Sequence, residues 1–485
     1  MTSPSRAQTA FDLVYSFVAT FHPRHLRPML RANYARELAS WTLMPVMLTG
    51  INAGAMSVIL KKTFSDAPGT TEAGLALAVA TIGAATAVGN LTSTFWANLA
   101  CGRSKVRLIV LLMLGCSASV GLIALIPATG AGAWMMAGLV LVGWIFWSGV
   151  ITTRAAVWRA NYPSGDRTMI AGRLASVQAV ISATSVLVLA EVLDAFASES
   201  AWGTRALGTL FLDPLQLERI DEYAFRIIFP TLALFGAVGA MVYARVRLRG
   251  QSRLSRIERR SRKSAGPLGN PFGAFRVLRS NPAYCRYIIS QFVFGTGNLL
   301  MIPVLALVLD ETFGASYLAA LMITAIIPPV LMPVAIPLWA RLLGRMHVVQ
   351  YRAIHSWVFV LAALCFLAGT LSGQYWVMVV GAVVLGFGWG GGVLAWNLGH
   401  QHFAPPEEDA QYMSVHVALT GVRGIIAPYL GVTLYEALRP GAHDAWVFGI
   451  AALITGTGAM GFVVLRRLDR ALHVVPDPGP TTGTP

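Results

Sequence analysis

Acidic residues are scarce: 22 Asp and Glu stand against 37 Lys and Arg in 485 residues, and charged side chains make up only 12% of the chain. With 55% hydrophobic residues and a mean hydropathy of +0.62, a water-soluble fold would have to hide more apolar surface than this length can bury. The bilayer must be part of the solvent. Cysteine is equally sparse. Cys101, Cys116, Cys285 and Cys365 stand apart in apolar surroundings, so neither a disulfide framework nor a metal knuckle is indicated. No Gly-x-x-x-x-Gly-Lys-Ser/Thr run occurs, which argues against an ATP-driven pump. No cleavable signal peptide is expected, because the first apolar run, Phe11 to Thr20, is short and ends at His22-Pro23-Arg24-His25. Phe11, Leu13, Val14 and Phe17, followed by Arg24, Arg27, Arg31 and Arg36, read either as an interfacial helix or as a disordered tail.

What the chain does contain is a near-repeat of itself. Trp96-Ala97-Asn98-Leu99 with Gly102-Arg103 returns as Trp339-Ala340-Arg341-Leu342 with Gly344-Arg345, at an offset of 242 or 243 residues. Gly138 and Gly143 match Gly381 and Gly386, and Asn161-Tyr162-Pro163 matches Phe403-Ala404-Pro405, at the same spacing. One repeat of half the chain length, in so apolar a sequence, points to a membrane protein built from two homologous halves.

Apolar stretches of roughly 20 residues recur about twelve times. They lie near 38–60, 73–99, 106–127, 132–160, 169–195 and 223–246, then 284–309, 315–342, 353–371, 375–402, 412–438 and 445–465. The expected class is an all-α polytopic membrane protein of two six-helix bundles, 37–246 and 283–466, with an arm 1–36, a basic linker 247–282 and a tail 467–485. The connections sort by sign. Arg103, Lys105 and Arg107, then Arg159 and Arg167, then Arg341, Arg345 and Arg352, then Arg466, Arg467 and Arg470 fall on one side. Asp66, Glu72, Glu199, Asp213, Glu218, Asp221, Glu222, Asp310 and Glu311 fall on the other, so both termini are expected in the cytoplasm. In the linker, Arg253, Arg256, Arg259, Arg260, Arg262 and Lys263 surround a single acid, Glu258, which reads as a hinge held near anionic head groups. Its few aromatics disfavour nucleic acid.

Two six-helix halves, a long basic central loop and a short Gly-Arg turn between spans two and three resemble the major facilitator superfamily over nearly the whole chain. Gly102-Arg103 and Lys105 match that family's loop motif, whereas Leu99 and Ala100 stand where its Asp and Arg would be. The resemblance implies alternating access: two bundles rock about a solute site near the midplane, lined chiefly by spans one, four, seven and ten. It also implies a multi-pass protein of a cytoplasmic (inner) membrane that acts as a monomer.

Span four places Trp144, Trp147, Ile151, Arg154 and Trp158 on one helix face, at spacings of 3, 4, 3 and 4. Adding 242 carries Trp147 to Trp389, Ile151 to Val393, Arg154 to Trp396 and Trp158 to His400, so two aromatic faces on equivalent helices become candidate cavity walls. The alternative is that the tryptophans pack helices or mark the interface, a reading that suits Trp158 best. Arg423 lies about 11 residues, or roughly 16 Å, into span eleven. A guanidinium there needs a wet cavity or a partner, and Tyr412, His416 and Thr420 share its face. Arg154 sits only about 10 Å from a helix end, where snorkelling competes. Asn52, Asn298 and Asn397 are amides in cavity-lining spans, and interhelical hydrogen bonding explains them equally well.

Coupling needs a titrating group. Glu191 and Glu436 lie near outer span ends and Glu37 precedes span one, which leaves His416 as the intramembrane proton carrier on the Arg423 face. Gly456-Thr457-Gly458-Ala459-Met460-Gly461 matches a dinucleotide fingerprint by letter, but inside an apolar span it reads as helix packing. His400, His402, Glu407, Glu408 and Asp409 read as a solvated loop rather than a metal site. The expected function is secondary or facilitative transport of a small polar organic solute, anions included, without catalysis, cofactor, metal or nucleic acid. A transporter-like receptor or assembly scaffold without flux is the alternative.

Overall fold

The computed structural model describes residues 21–64, 67–197, 225–263, 275–315, 319–320, 322–439 and 443–468. The Phe11–Phe17 run, Asp66, the segment carrying Glu199, Asp213, Glu218, Asp221 and Glu222, and Arg470 lie outside the described residues. Every regular element among the described residues is helical. In chain order they are α1 (Pro28–Leu48), α2 (Ala53–Phe64), α3 (Glu72–Leu91), α4 (Ser93–Ala100), α5 (Lys105–Leu122), α6 (Gly130–Asn161), α7 (Ser164–Ala197) and α8 (Phe225–Tyr243). The linker contributes α9 (Gln251–Lys263) and α10 (Arg276–Ser280). Then follow α11 (Pro282–Glu311), α12 (Ile327–Leu343), entered through a π turn Met322–Ile326, α13 (Val348–Ser372), α14 (Tyr375–Leu398), α15 (Asp409–Leu438) and α16 (Trp446–Leu468).

Eleven spans among the described residues are long and apolar enough to cross a membrane, α3 and α4 forming one of them. Span one is the exception. It begins at Pro28 rather than near 38, since Pro28 fits the first helical turn, and it is broken by a short 3-10 turn, Thr49–Ile51. Pro45 removes one backbone donor just before the break. Asn52 then restarts the helix: its Oδ1 accepts from the Ala55 N–H at 3.1 Å, as an N-cap does. The Ile51 carbonyl left at the break takes a 2.8 Å hydrogen bond from Trp144 Nε1, and Gly143 gives α6 the room to approach, because a Cβ there would press on Ile51.

The sequence repeat returns as a repeated tertiary bond. Trp96 Nε1 donates to the Ile145 carbonyl at 2.9 Å, and Trp339 Nε1 donates to the Phe387 carbonyl at 2.9 Å. Both indoles thereby tie the second helix of a half to its fourth. The Gly-Arg turns after them differ. Gly102 sits at φ +70, in the left-handed region that favours glycine, whereas Gly344 has an ordinary helical φ of −69.

That positive φ serves the linker. The Gly102 N–H donates to Glu258 Oε2 at 2.6 Å, and Lys105 Nζ donates to both Glu258 oxygens at 2.8 and 2.7 Å. Lys105 is 1% exposed and Glu258 5%. Lys105 is therefore not a free positive charge of the loop, as its sequence context suggested, but half of a buried ion pair that pins α9 beneath the turn between α4 and α5. Arg259 adds a 3.1 Å bond to the Gly102 carbonyl.

Removing one partner of such a pair leaves the other charge buried, at a cost of about 3–5 kcal/mol. Glu258→Ala is expected to lower the melting temperature of the purified protein and to expose α9 to protease, while the swapped pair Lys105→Glu/Glu258→Lys recovers part of the loss. Differential scanning fluorimetry and limited proteolysis measure both.

Candidate functional site

Hydrogen bonds between the two halves gather toward the end that carries the arginine-rich loops, here called the basic end. Arg159, near the end of α6, donates to Asp409 Oδ1 at 2.9 Å and to the Gln401 carbonyl at 3.1 Å. Arg167 on α7 donates to Gln401 Oε1 at 2.8 Å. Gln401 returns through Nε2 to the Ala155 carbonyl at 3.1 Å and to Asp409 Oδ2 at 3.2 Å. Ser93 Oγ donates to the Ser414 carbonyl at 2.7 Å, and Gly421 lets α15 lie against the Ala87 backbone of α3. The solvated-loop reading of His400 and Asp409 is corrected by this latch. Both are buried, because Asp409 opens α15 facing Arg159, with His400 Nε2 3.5 Å from its second oxygen. No group of three His, Cys, Asp or Glu among the described residues could hold a metal ion.

Above the latch lies the aromatic face of α6. Trp147 is buried edge-on against Trp41, with ring centroids 5.7 Å apart. The Arg154 guanidinium is stacked between Trp41 at 4.3 Å and Trp158 at 4.4 Å, and desolvated contacts of this kind are worth about 2 kcal/mol. Arg154 Nη2 also donates to Asn397 Oδ1 at 3.1 Å across the interface between the halves. These two residues are 243 positions apart, so each sits at nearly the place in its half that the other occupies in the partner half. Snorkelling is not the solution Arg154 adopts: it is 6% exposed.

Trp158 is not at an exposed interface either. Its Nε1 donates to Glu37 Oε2 at 2.7 Å, and the Tyr162 hydroxyl donates to Glu37 Oε1 at 2.9 Å. Burial first, then the adjacent carboxylate, pushes the Tyr162 hydroxyl well above its ordinary pKa, so it remains a donor. Glu37 does not precede span one; it lies inside α1, fully buried. The signal was available in the stripe Leu30, Tyr34, Glu37, Trp41 and Met44, spaced 4, 3, 4 and 3 and all buried.

The second half presents a different environment. Arg423 donates through Nη1 to the Gln291 carbonyl at 2.8 Å and through Nη2 to Thr420 Oγ1 at 3.2 Å. Gly295 makes room for it, since a Cβ there would overlap the guanidinium. Beside it lies a hollow of about 10 Å³, bordered by Gln291, His416, Thr420, Arg423 and the apolar Ile288 and Phe292, with space for about one water. Of the bordering residues, Gln291 Oε1, His416 Nε2 and Arg423 Nε have no hydrogen-bond partner among the described residues. Trp396 packs against two of these bordering residues, with Nε1 3.4 Å from Thr420 Oγ1 and its ring 5.5 Å from that of His416. Trp396 and Ile151 also pack on a small shared core of Ala155, Met413 and Val417, which joins the α6 face to α15.

Arg352, placed by sequence in a basic loop, is instead 2% exposed inside α13. Its Nη1 lies 3.3 Å from His355 Nδ1, and its guanidinium is 5.3 Å from the Phe294 ring. His355 Nε2 is 2.8 Å from the Gly388 carbonyl, so Nε2 carries the proton and Nδ1 accepts from Arg352. No carboxylate among the described residues lies within salt-bridge distance of Arg352 or Arg423.

The sequence-derived candidates thus fall into groups. Arg154 and Asn397 meet on the line between the halves, with Trp147 on the same face of α6 against Trp41; Arg423 and His416 border the hollow, and Trp396 packs on His416 and Thr420 beside it. Trp144 and exposed Asn52 serve the break in span one. Trp389 is half-buried against the main core, and half-buried Asn298 keeps an unpartnered Oδ1.

The family model for the Major Facilitator Superfamily matches residues 38–428. Among solved structures, the E. coli fucose:proton symporter is 11% identical with a TM-score of 0.64, covering 89% of this chain and 98% of its own. A proton:xylose symporter is 14% identical with a TM-score of 0.61 over 89% and 94%. The human organic anion transporter is 13% identical with a TM-score of 0.56 over 91% and 100%. At such identities the likeness is one of fold. A search of curated protein sequences found no match.

Truncating Glu37 would leave the Trp158 and Tyr162 donors buried without an acceptor, at about 1–3 kcal/mol each. Glu37→Ala is therefore expected to destabilise the purified protein strongly and Glu37→Gln, which keeps one acceptor oxygen, much less; thermal unfolding in detergent compares the two.

Proposed function

The chain belongs to the Major Facilitator Superfamily and is a membrane solute transporter, not an enzyme; on that footing we propose that it moves a small organic anion through an inner membrane by alternating access. The observation that carries the anionic reading is Arg423: a buried guanidinium with no carboxylate partner among the described residues, beside a hollow where Gln291 Oε1 and His416 Nε2 also lack partners. In a low-dielectric interior an uncompensated cation costs several kcal/mol. An anionic solute group seated there would supply the missing charge, with Gln291, Thr420 and His416 offering hydrogen bonds and Trp396 an apolar wall. Arg352 raises the positive potential of the same half. Across the interface, Arg154 is the facing group, backed by the aromatic face of α6 that includes Trp147, while Asn397 and Asn298 offer further polar groups on the Arg423 side.

The latch of Arg159, Arg167, Gln401 and Asp409 closes the basic end, which the distribution of arginines assigns to the cytoplasm. The conformer is then closed on the cytoplasmic side, and transport requires that latch to open. The two six-helix bundles, the first beginning with α1, are the moving bodies, joined by the linker 247–282. Facilitated diffusion or anion exchange needs no further titrating group. A proton-driven mode would run through His416, which borders the hollow and whose Nε2 has no partner among the described residues. The substrates of the structural neighbours include sugars as well as anions, so the reading rests on the residues of this chain.

Counterflow in proteoliposomes with a panel of carboxylates, phosphates, sulfonates and neutral analogues decides it. Anions should exchange and neutral analogues should not, and Arg423→Ala should reduce exchange at least about tenfold, the equivalent of one charged hydrogen bond. Exchange by Arg423→Ala at the wild-type rate across the anion panel would sink the assignment. For the latch, Arg159→Ala removes a charged hydrogen bond worth about 1.5–3 kcal/mol. Maleimide labelling of a cysteine placed at Ser414 is expected to rise about tenfold in that background, and unchanged labelling would show that the latch does not hold the halves together.

A further inference from the structure

A second charged cavity lies away from the interface between the halves, where α1 enters the membrane beside the chain that leaves α8. Its volume is about 320 Å³, within the usual range for a small-molecule site. Three arginines line it, Arg36 from α1 and Arg247 and Arg249 from the start of the linker, over an apolar floor that includes Ala32 and Leu248. No acidic residue lines it.

The loop that presents these arginines is fixed rather than loose. Asn33 is buried and clasps the backbone of Arg247 on both sides: its Nδ2 donates to the Arg247 carbonyl at 2.8 Å, and its Oδ1 accepts from the Arg247 N–H at 3.1 Å. Asn161, at the end of α6, accepts from the Arg249 N–H at 3.1 Å. The Arg249 guanidinium donates to the Met29 carbonyl. With its backbone held, Arg247 extends an exposed side chain, and neither it nor Arg36 has a side-chain hydrogen bond or ion pair to another described residue. Met29, at the lip, is 60% exposed. Fixed cations above apolar surface, at the level where a helix enters the bilayer, match a phosphodiester bearing acyl chains: the phosphate meets the guanidiniums and the chains run along the apolar wall.

We propose that this cavity binds the headgroup of an anionic phospholipid, with Arg36 and Arg247 as the phosphate ligands. Bound there, the lipid bridges α1 to the first residues of the linker. The shared chemistry, a phosphate monoanion, could also come from free phosphate, so the test separates the two sources.

Native mass spectrometry of the full-length protein in detergent, titrated with dioleoyl-phosphatidylglycerol or dioleoyl-phosphatidylcholine, reads the binding directly. A retained phosphatidylglycerol adduct is expected, without a matching phosphatidylcholine adduct. Arg36→Gln/Arg247→Gln should weaken it about thirtyfold. Arg253→Gln/Arg256→Gln, exposed on α9 and outside the cavity, should change it less than about twofold if the cavity rather than general surface charge is responsible. Ala32→Trp fills the cavity without altering charge and should also remove the adduct, and size-exclusion profiles establish that each variant is folded. Adduct retention at the wild-type level in both the double-arginine and the Ala32→Trp proteins overturns the site. Thermal stabilisation by inorganic phosphate alone, equal to that by phosphatidylglycerol, overturns the lipid as its source.

Discussion

Inside a bilayer no water is available to complete a polar group, so each donor, acceptor and charge must find its partner within the protein. Most of this structure follows from that constraint. The break in span one exposes a carbonyl that Trp144 takes up, and the duplicated tryptophans spend their indole N–H on carbonyls of the fourth helix in each half. Glu37 is tolerated at full burial because two aromatic donors converge on it, and Lys105 because Glu258 reaches it from the linker. Buried polar atoms without a partner among the described residues also occur elsewhere, at Trp41, Ser148, Thr152 and Tyr351 among others, but beside Arg423 they coincide with a buried charge and a hollow, and it is that coincidence that points to a ligand.

The charges also divide unequally between the halves. The first half holds its buried arginine beside a carboxylate, with Arg154 stacked on the same Trp158 that donates to Glu37. The second half buries Arg352 and Arg423 with only neutral partners. Similar frameworks thus enclose different electrostatics, and where solute binds between two such halves the asymmetry sets the sign of the solute each can accept.

Closure at the basic end is built from the same residue types that orient the protein. Arg159 in the last turn of α6 and Arg167 in the first turns of α7 flank the connection between those helices, where a positive-inside pattern needs cations, and they also fasten the opposite half through Gln401 and Asp409. Each reaches its partner at the rim, where the pair is only partly withdrawn from water: Arg159 keeps 18% side-chain exposure while Asp409 keeps none. A latch of this kind holds two bundles together without the cost of opening a fully buried ion pair.

Hydropathy and the internal offset were enough to read the helical class and the duplication, because those depend on local composition and on a pattern repeated at one spacing; that the repeated Trp96 and Trp339 bond carbonyls of the fourth helices came only from the structure. They also singled out Arg423, since depth along a helix follows from residue count alone. The extent of α1 was missed because its first turns are polar, although the stripe through Leu30, Tyr34, Glu37 and Trp41 recorded it. Arg352 and Asp409 were read as solvated for the same reason: a charge near a helix end looks exposed until a neighbouring helix covers it. The sequence by itself determined which segments must be helices and that two similar halves exist. Only the tertiary structure decided which charges meet an opposite charge, Lys105 with Glu258 and Arg159 with Asp409, and which meets only a neutral carbonyl, Arg423 at Gln291, because those partners lie 153, 250 and 132 residues apart and no local pattern couples them.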